Sequence, residues 1–428
     1  MHSIEIKNFG IIKDCKMNIK QLTILTGPQA SGKSTIAKAI YYFLSLNELF
    51  QNYIVSDRKK LELSLDNLKK FMHIKFETTF DVDFITLSEM SIKYNYSEKT
   101  WIKVFVNENQ KLPNRVFIDF DFSDNFKQII NKYKNFDTSY WKDNQNEKNM
   151  QKEFNELFDI DYIPIYIPAG RSAVVSMVDY LNKLFLSGDV FENYTVERNI
   201  GSGIKDYAIM ILEMRKHFSK GMDGLFNDVL RLNPYINEGL INETMELIEE
   251  IVKGKYFYRN GEEFLTVGDN VNIKVNFASS GQQEILWVCN VIFFYLLTER
   301  RVFLILEEPE AHLYPDSQKY ISELIGLFLH ADNFAIITTH SPYILGEFNN
   351  LLYANEIKDF WEEREGILTS TRLLPYDYTQ AFYISNGEKF DGMENHLIRN
   401  ELIDGASISI NEENDKLMEL KWRQVSNE

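Results

Sequence analysis

An α/β fold is predicted, and three features of the chain carry the prediction. The first is an unbroken phosphate-binding loop, Gly27-Pro28-Gln29-Ala30-Ser31-Gly32-Lys33-Ser34. It lies between an apolar β-branched run, Leu22–Thr26, and a helix-forming run, Thr35–Leu44. The second is a pair of short, almost wholly apolar segments, Val302–Leu306 and Phe334–Thr339. Such segments are typical of strands buried on both faces of a parallel sheet. The third is the alternation of strand-like and helical stretches between them, which places antiparallel strands and a helical lobe around the core.

The elements follow in chain order. Residues 1–26 read as two or three strands, with Met1–Lys7 alternating, a turn at Asn8-Phe9-Gly10, and Ile19–Thr26 entering the phosphate loop. Residues 35–72 read as mostly helical, with apolar residues near a 3.6-residue period. Residues 73–122 read as antiparallel strands, at His73–Glu77, Ser91–Tyr96 and Trp101–Val106. Residues 123–158 are polar and rich in Asn and Lys, which predicts helix and loop.

A strand over Tyr162–Ile167 leaves through the tight loop Pro168-Ala169-Gly170-Arg171-Ser172. Arg171 there either senses nucleotide or braces the helical lobe that follows. Residues 173–254 form a helical block, with helices within Val174–Leu186, Asp206–Phe218, Gly224–Leu232 and Asn242–Lys253. Residues 255–277 read as a hairpin turning at Arg259-Asn260-Gly261. A long apolar helix follows over 282–297. Near the end, Ala381–Ser385 reads as a strand before Asn386-Gly387, and a charged helix closes the chain. No repeat of fixed period and no long heptad array occurs, so extended coiled-coil arms are not expected. The expected divisions are an amino-terminal lobe over 1–172, a helical lobe over 173–268 and a carboxyl-terminal lobe over 269–428.

Composition narrows the class. The 428 residues are 44% hydrophobic and 14% aromatic, with 31 Phe and 23 Tyr, enough for a sizeable core; only 9 are Pro. Cys15 and Cys289 are the two cysteines, which argues against a disulfide framework or a zinc site and fits a reducing cytosol. The start alternates like a strand instead of resembling a secretory leader. The longest apolar runs, 285–297 and 302–306, fall short of the roughly 20 residues of a membrane span, so no membrane partner is expected. A net charge of −17 suits a passive nucleic-acid binder poorly. The basic clusters at Arg58-Lys59-Lys60, Lys69-Lys70 and Lys127–Lys134 read as solvated helix faces.

The phosphate loop predicts nucleoside triphosphate binding. Its glycines turn backbone N–H groups onto the phosphates, and the helix start adds partial positive charge. Lys33 is expected to reach the β- and γ-phosphates, and Ser34 to ligate Mg²⁺. Gly27, Gln29, Ala30, Ser31, Gly32, Lys33, Ser34 and Thr35 are the candidate nucleotide contacts.

Three further segments lie downstream, in order. Ala278-Ser279-Ser280-Gly281-Gln282-Gln283-Glu284 joins the hairpin to a helix and makes a second anion cradle. Val302–Leu306 runs into Glu307-Glu308-Pro309-Glu310-Ala311-His312-Leu313-Tyr314-Pro315. Two carboxylates thus stand at the carboxyl end of a buried strand, where an open α/β sheet holds ligands. Ile336-Ile337-Thr338-Thr339-His340-Ser341-Pro342 ends another strand in a polar hook.

Taken together, these collinear motifs resemble the ATP-binding-cassette ATPase superfamily, in its soluble branch of chromosome-maintenance and overcoming-lysogenization-defect-like proteins. The resemblance implies an ATPase head with a P-loop core sheet, an antiparallel β subdomain and an inserted helical lobe. It implies that Ser279, Ser280, Gly281 and Gln282 form the signature, with Ser280 in place of the first glycine. Glu307 stands where the family usually has a magnesium-linked Asp, Glu308 matches the catalytic glutamate, and Glu310–Leu313 matches the loop that crosses the dimer interface. His340 matches the switch histidine. The family's lid glutamine has no assigned counterpart. The cofactors implied are ATP and Mg²⁺, and the first partner implied is a second copy, clasping the same ATP through its signature, or a higher homo-oligomer.

Tyr166–Ser172, Ser279–Glu284 and Glu308–Pro315 together resemble the compact ATPases of bacterial antiphage systems of the PARIS type. That likeness implies a sensor and scaffold holding a separate effector, such as a Toprim nuclease, and releasing it on a phage-encoded trigger. No Asp-x-Asp follows His340, and the acidic pairs Asp81/Asp83, Asp119/Asp121 and Asp159/Asp161 lie upstream, where they read as loop or strand-edge acids. The chain is therefore expected to lack a nuclease of its own. The alternative is a DNA-repair ATPase resembling the replication-gap repair protein F, which would bind DNA in an ATP-dependent dimer. A transporter's nucleotide-binding subunit is disfavoured by the signature type and by the 123–158 segment.

Overall fold

A computed structural model describes residues 2–56, 64–80, 89–106, 118–134, 144–176, 178, 201–268, 271–357 and 359–426. Strands β1 (Ser3–Phe9), β2 (Ile12–Asn18) and β3 (Leu22–Thr26) open the chain, followed by helices α1 (Lys33–Ser56) and α2 (Leu65–Phe80). Next come β4 (Ser91–Asn95), β5 (Trp101–Val106), β6 (Ile118–Phe122), α3 (Asp124–Lys134), α4 (Asn144–Phe158) and β7 (Ile163–Ile167). The expected strand at His73–Glu77 is instead part of α2. Leu68, Met72 and Phe76 recur every four residues and are fully buried, with Phe76 packed against Phe9, Tyr42 and Phe80. That helical stripe outweighs the local alternation of polar and apolar residues.

The helical block contains α5 (Ser202–Met214), a 3₁₀ segment at Arg215–Lys220, α6 (Gly221–Leu232) and α7 (Glu238–Val252). Most of the helix expected within Val174–Leu186 lies outside the described residues, as do Asp81/Asp83 and Arg58-Lys59-Lys60. The hairpin β8 (Lys255–Arg259) and β9 (Glu262–Val267) turns where expected, with Asn260 and Gly261 at φ 54° and 82°. A third strand, β10 (Val271–Lys274), completes a small sheet that runs across the expected boundary at 268/269. The remainder is α8 (Ser280–Leu297), β11 (Val302–Glu307), α9 (Pro315–His330), β12 (Phe334–Thr339), α10 (Pro342–Glu356) and α11 (Trp361–Glu365). It ends with β13 (Thr379–Ser385), β14 (Glu388–Asp391), β15 (Met393–Glu394), β16 (Leu397–Ile398) and α12 (Asn400–Ser426).

The large sheet has 11 strands in the order β6-β5-β4-β1-β2-β14-β13-β3-β12-β11-β7. Strands β13, β3, β12, β11 and β7 are mutually parallel, while β6, β5, β4, β1 and β2 pair antiparallel. The fold is therefore α/β, with the phosphate-loop strand between β13 and β12 in the parallel half and antiparallel strands extending one flank. The segments expected as amino- and carboxyl-terminal lobes share this one sheet, because β13 and β14 insert between β2 and β3.

Two apolar cores lie on its two faces. Along β11, Val302, Leu304 and Leu306 join the core formed with α8, α9, α10 and the helical block. Phe303 and Ile305 join the core formed with α1 to α4. The two-residue period of a strand thus splits a continuous apolar run between both faces.

Candidate functional site

Parallel pairing brings the motifs together. Thr26 of β3 is level with Thr339 of β12, and Thr338 is level with Glu307 of β11. The phosphate loop, the paired glutamates and the switch hook therefore leave the sheet at one edge, the carboxyl ends of parallel strands.

The loop at 27–32 is shaped by close approach. A Cβ at Gly27 (φ 140°) would lie 2.2 Å from the Ile384 carbonyl oxygen of β13, and one at Gly32 (φ 106°) would strike Ile12. Backbone on one side and a packed side chain on the other leave room for glycine alone. Ala30 also has positive φ, 56°, and with Gln29 it is exposed at the loop tip. Lys33 is buried, and its ammonium donates to the carbonyls of Gly27 and Pro28, both at 2.8 Å. Burial pulls the Lys33 pKa down, and the carboxylates of Glu308, Glu310 and Glu307 oppose it.

Glu307 ends β11 and is buried. Burial pushes its carboxyl pKa up, against the opposing effects of Lys38, the Ala169 N–H and the hydroxyls of Tyr166 and Ser34. Its Oε2 accepts from the Ala169 N–H at 3.4 Å, and its Oε1 has no protein hydrogen-bond partner. A buried acceptor left open beside the Ser34 hydroxyl fits a divalent cation that takes one carboxylate, one hydroxyl and nucleotide oxygens. Among the described residues, no group of three or more His, Cys, Asp or Glu side chains forms a self-contained metal cage.

Glu308 follows in a left-handed backbone conformation, φ 45°, with its N–H donating to Thr338 O at 2.8 Å. Its carboxylate meets His340 Nε2 at 3.1 Å, and both side chains are partly exposed. A non-glycine residue held in this conformation is a typical functional-site feature. Glu310 was not singled out as a site residue of its own. Its Oε1 accepts from Thr339 Oγ1 at 2.8 Å and from the His340 N–H at 2.9 Å, so it fixes the switch hook. Gln318 of α9 adds a second tie: its Oε1 accepts from Ser341 Oγ at 2.5 Å, and its Nε2 donates to Leu313 O at 2.9 Å.

The signature turn is built as a helix start. Ser279 is the N-cap of α8: its Oγ accepts from the Gln282 N–H, and the Gln282 side chain accepts from the Ser279 N–H. Gln282 Nε2 also donates to Val252 O at 3.0 Å, tying the turn to the end of α7. Ser279 and Ser280 are exposed, whereas Gly281 is buried. A Cβ at Gly281 would lie 2.6 Å from the His312 carbonyl oxygen, so this turn packs against the loop after Glu310.

Arg171 braces the backbone at the strand ends and the start of α8, not the helical lobe. It is fully buried, and its guanidinium donates to the carbonyls of Glu284, Pro168, Glu307 and Glu308. Several of the other acidic and basic residues within the described set are paired locally. Asp119 pairs with Lys69, Asp121 with Lys127, Asp161 with Arg301, and Lys132 with Glu153. These pairs lie in loops, on strands and on helix surfaces, whereas Asp81/Asp83 and Arg58-Lys59-Lys60 lie outside the described residues.

The AAA ATPase domain family matches residues 1–345. The chain belongs to that family. Beyond the family match, no curated protein matches this AAA ATPase domain chain. Among solved structures it is similar to the Smc head domain of Pyrococcus furiosus, described with an extended coiled coil and bound to the carboxyl-terminal domain of ScpA. The identity is 12%, the match covers 91% of this chain and 95% of that one, and the TM-score is 0.39. A SmcHead bound to the C-winged helix domain of ScpA matches at 11% identity, 90% and 95% coverage, and TM-score 0.39. The SMC head domain from Thermotoga maritima matches at 10% identity, 81% and 90% coverage, and TM-score 0.36. No helix among the described residues is long and apolar enough to cross a membrane.

Proposed function

We propose that the chain binds and hydrolyses ATP with Mg²⁺, in a site completed by the signature of a second copy. The carrying observation is the convergence of Lys33, Ser34, Glu307, Glu308 and His340 at one sheet edge, with Glu308 and His340 in contact at 3.1 Å. Lys33 and the loop N–H groups hold the phosphates, and Ser34 and Glu307 would hold the cation, which supplies charge neutralisation when bound. In this reading Glu308 polarises the attacking water, and His340, in contact with it, senses the γ-phosphate and orients the glutamate. Ser279, Ser280, Gly281 and Gln282 are supported as a trans-acting signature by the exposure of Ser279 and Ser280 on a turn that Gly281 stacks on the 310–313 loop. ATP then acts as adhesive, and loss of the γ-phosphate releases the pair.

At the level of biology, the sequence resemblance supports a sensor and scaffold in antiphage defence, holding a separate effector such as a Toprim nuclease. Copurification with the product of the neighbouring reading frame tests that reading; recovery of a recombination partner instead would favour DNA repair. The catalytic reading is tested by paired variants. Lys33→Ala is expected to abolish ATP binding in a fluorescent-nucleotide titration. Glu308→Gln is expected to keep binding and lower kcat by about 10²- to 10⁴-fold. Undiminished ATP affinity in Lys33→Ala would refute the assignment.

A further inference from the structure

Arg171 and Glu284 are a buried charged pair for which the ATPase chemistry has no direct use. Arg171 is 0% exposed, and the Glu284 side chain 1%. Sealing two charges from water is costly, and such a pair often stabilises no better than apolar side chains would. A role beyond stability is therefore worth seeking in what the pair touches.

Its bonds run to both halves of the site. Glu284 lies one turn into α8, whose first residues are the signature. Its Oε2 accepts from the Arg171 N–H at 3.0 Å, and its Oε1 accepts from Ser172 Oγ at 2.6 Å. Arg171 Nε donates to the Glu284 carbonyl at 2.8 Å. On the other side, Nη1 donates to Glu307 O at 2.6 Å, and Nη2 donates to Glu308 O at 3.0 Å. That second bond grips the residue held at φ 45°. The fork reaches these carbonyls from three separate nitrogens, whereas an ammonium carries all its donors on one. The pair thus joins the helix that a second copy would engage to the backbone of the glutamate that would activate water.

We infer that Arg171 and Glu284 are positioning residues forming one strut, which sets the Glu308 carboxylate by the placement of the signature helix. The inference rests on the reading of an ATP-clasped dimer and adds to it how engagement of the signature reaches the catalytic carboxylate. Both side chains are sealed from solvent and make their bonds to protein groups. Loss of the strut therefore costs turnover and spares ground-state binding, because small misplacement of a reacting group is felt at the barrier.

The test uses the full chain with Arg171→Lys, Glu284→Gln and their combination, each measured for kcat, KM, ATP affinity and thermal midpoint. Each single change is expected to lower kcat about 10- to 100-fold while KM and ATP affinity stay within about threefold. The double variant should be no slower than the slower single variant, since one strut is cut once. In a Glu308→Gln background, Glu284→Gln should leave the residual rate unchanged. Losses that multiply in the double variant, or a lowered thermal midpoint with kcat intact, would overturn the inference. Glu284→Gln is nearly isosteric and carries the test if Arg171→Lys does not fold. Wild-type turnover that shows no dependence on protein concentration would instead sink the dimer reading itself. Concentration-dependent wild-type turnover with unaffected variants would sink the strut alone.

Discussion

Glu307 and Glu308 are sequence neighbours with opposite situations. Glu307 is buried at the strand end with one oxygen unpartnered, and Glu308 is strained, partly exposed and paired with His340. Because burial raises the Glu307 pKa above its unfolded value, the native state holds its proton more tightly than the unfolded chain. Stability from this group is present at pH below the ordinary carboxylate value and is lost as pH rises through the raised one. Glu307→Gln should therefore stabilise the nucleotide-free protein at neutral pH by on the order of 1 kcal/mol. The gain should shrink as pH falls through the raised folded value and vanish below about 4.5, the unfolded value for a glutamate. Denaturant titrations at several pH values check this; a gain independent of pH would contradict it. Most of these residues were legible in the sequence, because an eight-residue loop and an acidic pair after five apolar residues leave few alternatives. The tie from Glu310 to the His340 N–H was not, and the sequence left Arg171 between sensor and brace, since both residues work through backbone groups supplied by distant segments.

At the scale of elements, the signature turn depends on two kinds of fit. Its capping box satisfies N–H groups at the start of α8, and Gly281 lets that start lie against the 310–313 loop. Gly281→Ala places a methyl group 2.6 Å from a backbone oxygen, which has little freedom to yield. ATPase activity should fall at least about tenfold, with the thermal midpoint lowered by a few degrees, a typical cost of overpacking. Activity and midpoint both equal to wild type would show that the two elements are not in contact. Elements were read well where one pattern dominated, as at β11, β12 and the 255–267 hairpin. The segment at 73–77 was misread because its alternation competes with the four-residue spacing of Leu68, Met72 and Phe76. Only the partners Phe9 and Tyr42, supplied by β1 and α1, decide between them.

The whole molecule closes through its carboxyl-terminal strands. β13 lies beside β3, and β14 reaches β2, so residues near 380 are part of the wall behind the phosphate loop. No local pattern around 380 announces that placement; it follows from Gly27 meeting Ile384 and Gly387 meeting Ile11. By contrast, the described side chains of α12 from Ile408 to Trp422 are exposed. Removing residues 408–428 should thus leave the thermal midpoint within about 2 °C, whereas a cut before β13 should prevent folding. Differential scanning fluorimetry of the two truncations separates these outcomes, and a large loss from the shorter truncation would contradict the assignment of α12 as peripheral. The central claim concerns two molecules, and multi-angle light scattering on Glu308→Gln tests it most directly. With Mg-ATP the mass should double relative to the same protein without nucleotide, from 50.3 kDa for a monomer. A mass unchanged by Mg-ATP, with ATP shown to be bound, would contradict the account.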